Sequence, residues 1–170
     1  MAVALGRIPC TPRMALDRID VAILDLLQQD GRATAAELAQ RVGLSASPCH
    51  RRQRLLEDAG FIQRYVALLD QQKVGLAVHV FVTIELTAQS EANLERFETA
   101  IADCPEVMEC YEMAGTSDYL LRVVCADLAS YEQFMRSRLS RIAGVRAIRS
   151  AFALKRVIYR TGLPLRRPAK

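Results

Sequence analysis

Between Asp17 and Gly60 apolar residues recur at helical spacing in three short runs, each opened by a capping residue and closed by a glycine. In the first, Ile19, Ile23, Leu26 and Leu27 line one face, Asp17 and Asp20 suit the positive N-terminal end, and Gly31 stops the helix. The second opens with the capping box Thr34-x-x-Glu37 and carries Leu38 and Val42. A tight Val42-Gly43-Leu44 turn leads into a third helix, Ser45 to Ala59, closed by Gly60. Two short amphipathic helices joined this way have the layout of a DNA-reading helix-turn-helix. The pattern then changes period. F-I-Q-R-Y-V-A-L-L-D, from Phe61, is extended in character and suits a wing strand that becomes a linker, and Asp70 to Gly75 reads as a turn.

The remainder repeats one unit twice. Strand Ala77 to Thr87, helix Glu91 to Asp103 and strand Val107 to Ala114 are followed by strand Tyr119 to Cys125, helix Leu128 to Ile142 and strand Val145 to Val157. That order, βαββαβ, is ferredoxin-like. The helices carry apolar stripes, Leu94, Phe97 and Ile101 on one, Leu128, Tyr131, Met135 and Ile142 on the other, so both cover one face of the sheet. Yet Val78, Val80, Val82 and Ile84 alternate with Phe81, and both alternations of Tyr119 to Cys125 are mostly apolar. The open face needs a cover, and a second copy of the chain supplies one, so a homodimer through this sheet is expected.

The fold class is therefore α+β: a winged helix-turn-helix over residues 16–64, a linker strand and turn over 65–76, and a ferredoxin-like domain over 77–159. Residues 1–15, with Pro9 and Pro12, read as a loose arm, and 160–170 as a basic tail. A chain of 170 residues with 51% hydrophobic and 25% charged residues has room for these two domains. No run is long and apolar enough for a membrane span, which with the lack of a signal-like segment leads to an expected cytoplasmic, nucleoid-associated location. Five cysteines without a C-x-x-C pair and two histidines argue against zinc and against a disulfide framework, leaving mostly buried thiols; no cofactor or metal is expected.

The net charge of +4 matters through its distribution: +2 over Met1 to Tyr65, −2 over Val66 to Tyr159, and +4 over Arg160 to Lys170. Double-stranded DNA is the expected partner of the first segment. Its candidate contacts are Ser45, Ala46, Ser47, His50, Arg51, Arg52 and Arg54 on the third helix, with Arg64 beyond it. Hydroxyls and guanidinium groups there suit base edges and phosphates, although a capped helix with a solvated basic face has the same composition. At Gly115-Thr116-Ser117-Asp118 the residues also permit two readings. Hairpin chemistry alone explains a glycine and local turn bonding. Alternatively, free N–H groups and hydroxyls hold a carboxylate while Asp118 holds an ammonium, which matches an amino-acid zwitterion, with Met113, Ala114 and Tyr119 lining the same region. Catalysis lacks residues: there is no G-x-S-x-G, no phosphate-cradling loop and no metal-ligand cluster, so the chain is not expected to be an enzyme.

L-D-R-I-D at Leu16 to Asp20, D-G-R at Asp30 to Arg32, E-L-A-x-R-V-G-L-S at Glu37 to Ser45 and S-P-C at Ser47 to Cys49 form an ordered set. G-F-I at Gly60 to Ile62, Y-x-A-x-L-D at Tyr65 to Asp70, A-G-x-x-D-Y-L-L at Ala114 to Leu121 and G-V at Gly144 to Val145 continue it. Over Leu16 to about Tyr159 the chain resembles the leucine-responsive regulatory protein/AsnC (Lrp/AsnC) family of transcription regulators. The resemblance implies that the third helix enters the major groove. It also implies that the C-terminal domain dimerises, assembles dimers into rings and binds an amino-acid effector between dimers. Gln53, where such proteins usually carry an apolar side chain, and His50 depart from the pattern. An architectural, nucleoid-type DNA binder without an effector is the alternative.

Overall fold

Asp17 starts α1 (Arg18–Gln29): its carboxylate accepts from the N–H groups of Ile19 and Asp20, both 2.8 Å, while the Asp20 side chain accepts from the Asp17 N–H at 3.1 Å. The same reciprocal box opens α2 (Ala35–Val42), where Glu37 N–H donates to Thr34 Oγ1 and Thr34 N–H donates to Glu37 Oε2 at 2.7 Å. Gly43, at φ +71°, ends α2 in the left-handed region and lets the chain turn into α3 (Ala46–Asp58). Ile23, Leu24, Leu27, Leu38, Ala39, Cys49 and Leu56 close into one apolar core beneath α3. Each large side chain so buried contributes about 1.5–3 kcal/mol.

The structure is a computed structural model and describes residues 15–166. The expected N-terminal arm, except Ala15, and the last four residues of the basic tail lie outside the described residues. The described chain divides into two units, 15–68 together with 157–166, and 69–156. Among the described residues no helix is long and apolar enough to cross a membrane.

The strand expected within the wing segment is not found among the described residues. Residues 63–70 run without any assigned strand, and 71–75 form the expected turn, with Asp70 accepting from Gln72 N–H at 3.0 Å. Composition made the segment strand-competent, but a strand exists only as a ladder, and no described residue offers it a partner edge.

The second unit follows the predicted order: β1 (Val78–Leu86), α4 (Glu91–Ala102), β2 (Val107–Glu112), β3 (Tyr119–Cys125), α5 (Leu128–Ser137) and β4 (Val145–Phe152). The four strands pair antiparallel in the order β2-β3-β1-β4. Val80, Val82, Ile84 and Leu86 from β1 and Tyr119, Leu121 and Val123 from β3 meet Phe97, Ile101, Tyr131 and Phe134 of the helices in the core. Three boundaries fall short of expectation. α5 stops at Ser137, whose hydroxyl takes the Gln133 carbonyl at 2.7 Å, and a 3-10 turn, Leu139–Arg141, follows. β2 ends at Glu112 rather than Ala114, and β4 at Phe152 rather than Val157. The last β4 contact is Ala153 N–H to the His79 carbonyl, 3.0 Å, one residue short of the start of β1 at Val78.

Candidate nucleic-acid interface and effector pocket

Along α3 the solvent-exposed residues include Ser47, His50, Arg51 and Arg54, a spacing of three, one and three that forms a single stripe on a 3.6-residue helix. Cys49 and Leu56, both fully buried, hold the opposite side against the core. Ser45, Ala46 and Arg64 are exposed as well, and among the described residues no carboxylate lies within ion-pair distance of Arg51, Arg54 or Arg64. At the start of α3, Ser45 occupies the capping position but makes no side-chain cap bond. The cause is local: a capping hydroxyl commonly takes the third helical N–H, and Pro48 stands there without one. The hydroxyls of Ser45 and Ser47 therefore stay available to an outside partner beside the first helical N–H groups, which favour anions.

Arg52 stands apart from its neighbours, a correction to grouping it with Arg51 and Arg54. Its guanidinium turns inward and binds Asp17 Oδ2 and Asp20 Oδ1, both at 2.7 Å. One residue along the helix is a rotation of about 100°, enough to move it from the exposed stripe to the flank facing α1. It thus locks α3 to the N-terminus of α1. The Asp20 N–H and then Arg52 hold the Asp17 carboxyl below the ordinary carboxylate range.

Arg52→Ala leaves the Asp20 side chain, only 11% exposed, without its cation, and should destabilise the DNA-binding unit by about 1–3 kcal/mol, read as an earlier calorimetric transition. Because Asp17 has a depressed pKa, its contribution is present above the usual carboxylate value of about 3.9 and is lost as pH falls below it. The difference between wild type and variant should accordingly shrink below about pH 4. A variant melting like wild type at neutral pH would refute the locking role.

Gln53 also gains a partner that the sequence did not indicate. Its amide donates to Tyr65 OH at 3.0 Å and to Glu57 Oε1 at 3.2 Å, and Tyr65 OH donates to the same carboxylate oxygen at 2.8 Å. A polar triad thus joins α3 to the segment behind it where an apolar contact was expected.

In the second unit the β2–β3 turn is closed by Met113 N–H donating to the Asp118 carbonyl at 2.8 Å, with Gly115 at φ +147°. The N–H groups of Ala114, Gly115, Thr116 and Ser117 have no partner among the described residues. Beside the turn lies a cavity of about 240 Å³ lined by Gln89, Leu94, Glu112, Met113 and Asp118. Of the seven predicted effector residues, Met113 and Asp118 line it. Ala114, Gly115, Thr116 and Ser117 form the adjoining turn. Tyr119 does not face it: the residue is 1% exposed, its ring packs on Phe97 with centroids 4.5 Å apart, and its hydroxyl donates to Glu98 at 2.8 Å. Burial, then the Glu98 contact, pushes its phenol pKa up.

Asp118 carries a structural duty that its place in a turn did not reveal. Its carboxylate accepts from the Leu86 N–H at 2.6 Å and from the Gln89 amide at 2.5 Å, so it ties the hairpin to the end of β1. Glu112 and Gln89 carried no site signal in the sequence, and Leu94 read only as part of a helix's apolar stripe. Only the pairing of β2 with β3 places Glu112, opposite Tyr119 and on the helix-covered side of the sheet. The thiols of Cys49, Cys104, Cys110 and Cys125 are all shifted up, burial being the main cause, which leaves none of these four activated as a thiolate.

Two family models match the chain: a winged helix-turn-helix DNA-binding model over residues 16–63 and the Lrp/AsnC ligand binding domain over 79–163. The Bkd operon transcriptional regulator of Pseudomonas aeruginosa is 49% identical over 150 residues, covering 88% of this chain and 98% of that protein. An AsnC family transcriptional regulator from Agrobacterium tumefaciens superposes with a TM-score of 0.84 at 45% identity, covering 88% of this chain and 97% of that one. A Neisseria meningitidis transcriptional regulator, solved as its L-Met complex, also reaches 0.84, at 37% identity and the same coverages. With a basic, exposed α3 stripe upstream of a four-stranded ferredoxin-like sheet, the chain belongs to the Lrp/AsnC family of DNA-binding transcriptional regulators.

Proposed function

We propose that the chain is a sequence-preferring regulator that reads the major groove with the Ser47, His50, Arg51 and Arg54 stripe, and that a small amino acid modulates its assembly or operator affinity from the cavity beside the β2–β3 turn. The observation that carries the effector reading is the pairing of two carboxylates, Glu112 and Asp118, with a turn of unpartnered N–H groups. One side suits an ammonium, the other a carboxylate. The small cavity suits a single amino acid better than a larger cofactor. The L-Met complex of the Neisseria relative supports the same ligand class.

The test is calorimetric titration with each common amino acid, followed by sedimentation with and without the best ligand. Binding of none would favour the architectural alternative, a DNA binder with no effector.

The sheet's open face supports self-association. Phe81 and Tyr111 are exposed there beside Leu120 and Val124, with Arg122 opposite Phe81 paired to Glu109 at 2.7 Å and Arg149 paired to Glu85. Exposed aromatic side chains interspersed with arginine are the residue types enriched at protein interfaces. A homodimer is the expected species in sedimentation at micromolar concentration, and its two reading helices should protect sites ~34 Å apart or a multiple of that. A monomer that still binds DNA tightly would contradict this.

A further inference from the structure

The C-terminal segment beyond β4 does not simply trail away. Its residues 157–166 belong to the same compact unit as the helix-turn-helix. The anchor is a two-point clamp: Gln28 Nε2 donates to the Leu163 carbonyl at 3.3 Å and Leu163 N–H donates to Gln28 Oε1 at 2.5 Å. A side-chain amide here imitates a strand neighbour. Gly162 lies flat against Gln28, where an added Cβ would come within 3.8 Å of the glutamine, and Leu165 packs half-buried on the core beneath α3. Pro164, just before Leu165, limits the backbone there and removes one donor.

Flanking this clamp are Arg160, Arg166, Arg167 and Lys170, and no acidic side chain occurs anywhere after Glu132. Arg160 and Arg166 are exposed, and among the described residues neither has a carboxylate partner. Arg167 and Lys170 lie beyond the described residues and enter through sequence alone. A cluster of unneutralised bases held on a fold raises its own field and attracts a polyanion. Anchoring removes part of the entropy that a free basic tail loses on binding.

We propose that the anchored tail is a second DNA-contacting element, an arm that brings Arg160 and Arg166 to duplex phosphates while α3 reads the groove. Its contribution is independent of sequence, because phosphates are the same at every step. It rests on the DNA-binding reading of the helix-turn-helix and adds to it residues distant in sequence, the last of them beyond the family match that ends at residue 163.

The experiment measures affinity for a short mixed-sequence duplex by fluorescence anisotropy between about 50 and 200 mM salt, with the full chain as wild type, Arg160→Gln/Arg166→Gln and Gln28→Ala. Each lost phosphate contact flattens the salt slope by about 0.9, so the double variant should lose roughly 1.8 units per engaged protomer and bind on the order of tenfold more weakly at about 0.1 M salt. Gln28→Ala keeps the charges but frees the arm, so a few-fold loss at nearly the wild-type slope is expected. Wild-type slope and affinity in Arg160→Gln/Arg166→Gln would overturn the proposal and leave the tail as packing alone. A wild-type chain that binds no duplex would overturn the DNA-binding reading itself, and the arm with it.

Discussion

Replacing Arg51 and Arg54 together by alanine should abolish tight duplex binding while the fold, and the self-association proposed above, persist. Both side chains stand on the exposed stripe of α3, neither has a carboxylate partner among the described residues, and neither reaches the apolar core formed by Cys49 and Leu56 on the opposite side. Their removal therefore costs the native state little. If each contacts a phosphate, the salt dependence loses about 0.9 units of slope per arginine, and if one reads a guanine edge, sequence preference relaxes by roughly 1–3 kcal/mol at that position. The contrast with Arg52→Ala is informative, because that variant is expected to lose stability before it loses affinity. Footprinting with Arg51→Ala/Arg54→Ala that matches wild type would remove α3 from the interface.

The second large effect is expected at the proposed effector cavity, and it separates two carboxylates with different duties. Asp118→Ala strands the Leu86 N–H at the end of β1 and the Gln89 amide, and leaving a buried donor unmade costs about 1–3 kcal/mol. The variant should therefore both melt earlier and lose the amino-acid response, which makes it a poor probe of ligand contact alone. Glu112 has no such structural bond among the described residues and is exposed at the end of β2. Glu112→Gln keeps shape and removes charge, so the fold should persist while an ammonium held there loses roughly 1.5–3 kcal/mol, tenfold or more in affinity. Calorimetry on both variants decides: wild-type affinity in Glu112→Gln together with undiminished binding in Asp118→Ala would move the ligand to another place in the fold.

The acidic N-terminal end of α1, the capping box of α2, the tight turn at Gly43, the βαββαβ order and the alternating faces of β1 and β3 were all legible in the residues. Each depends on neighbours within about four positions, and that is the range over which helical and strand periodicity carries information. The exposed α3 stripe was legible for the same reason, since the spacing of Ser47, His50, Arg51 and Arg54 follows from helix geometry alone. Adjacency misled at Arg52, because three arginines in four positions look alike in composition while the helix points one of them the other way.

What the residues could not disclose is which distant group each polar side chain would meet. Arg52 finds Asp20 across 32 positions, Asp118 finds Leu86 across 32, and Gln28 finds Leu163 across 135. Such partners are chosen by how the elements pack, because a buried or half-buried polar atom must bond to whatever the fold places beside it. The segment after Gly60 shows the same division: composition made it able to be a strand, but a ladder needs a second edge, and only tertiary structure can provide one.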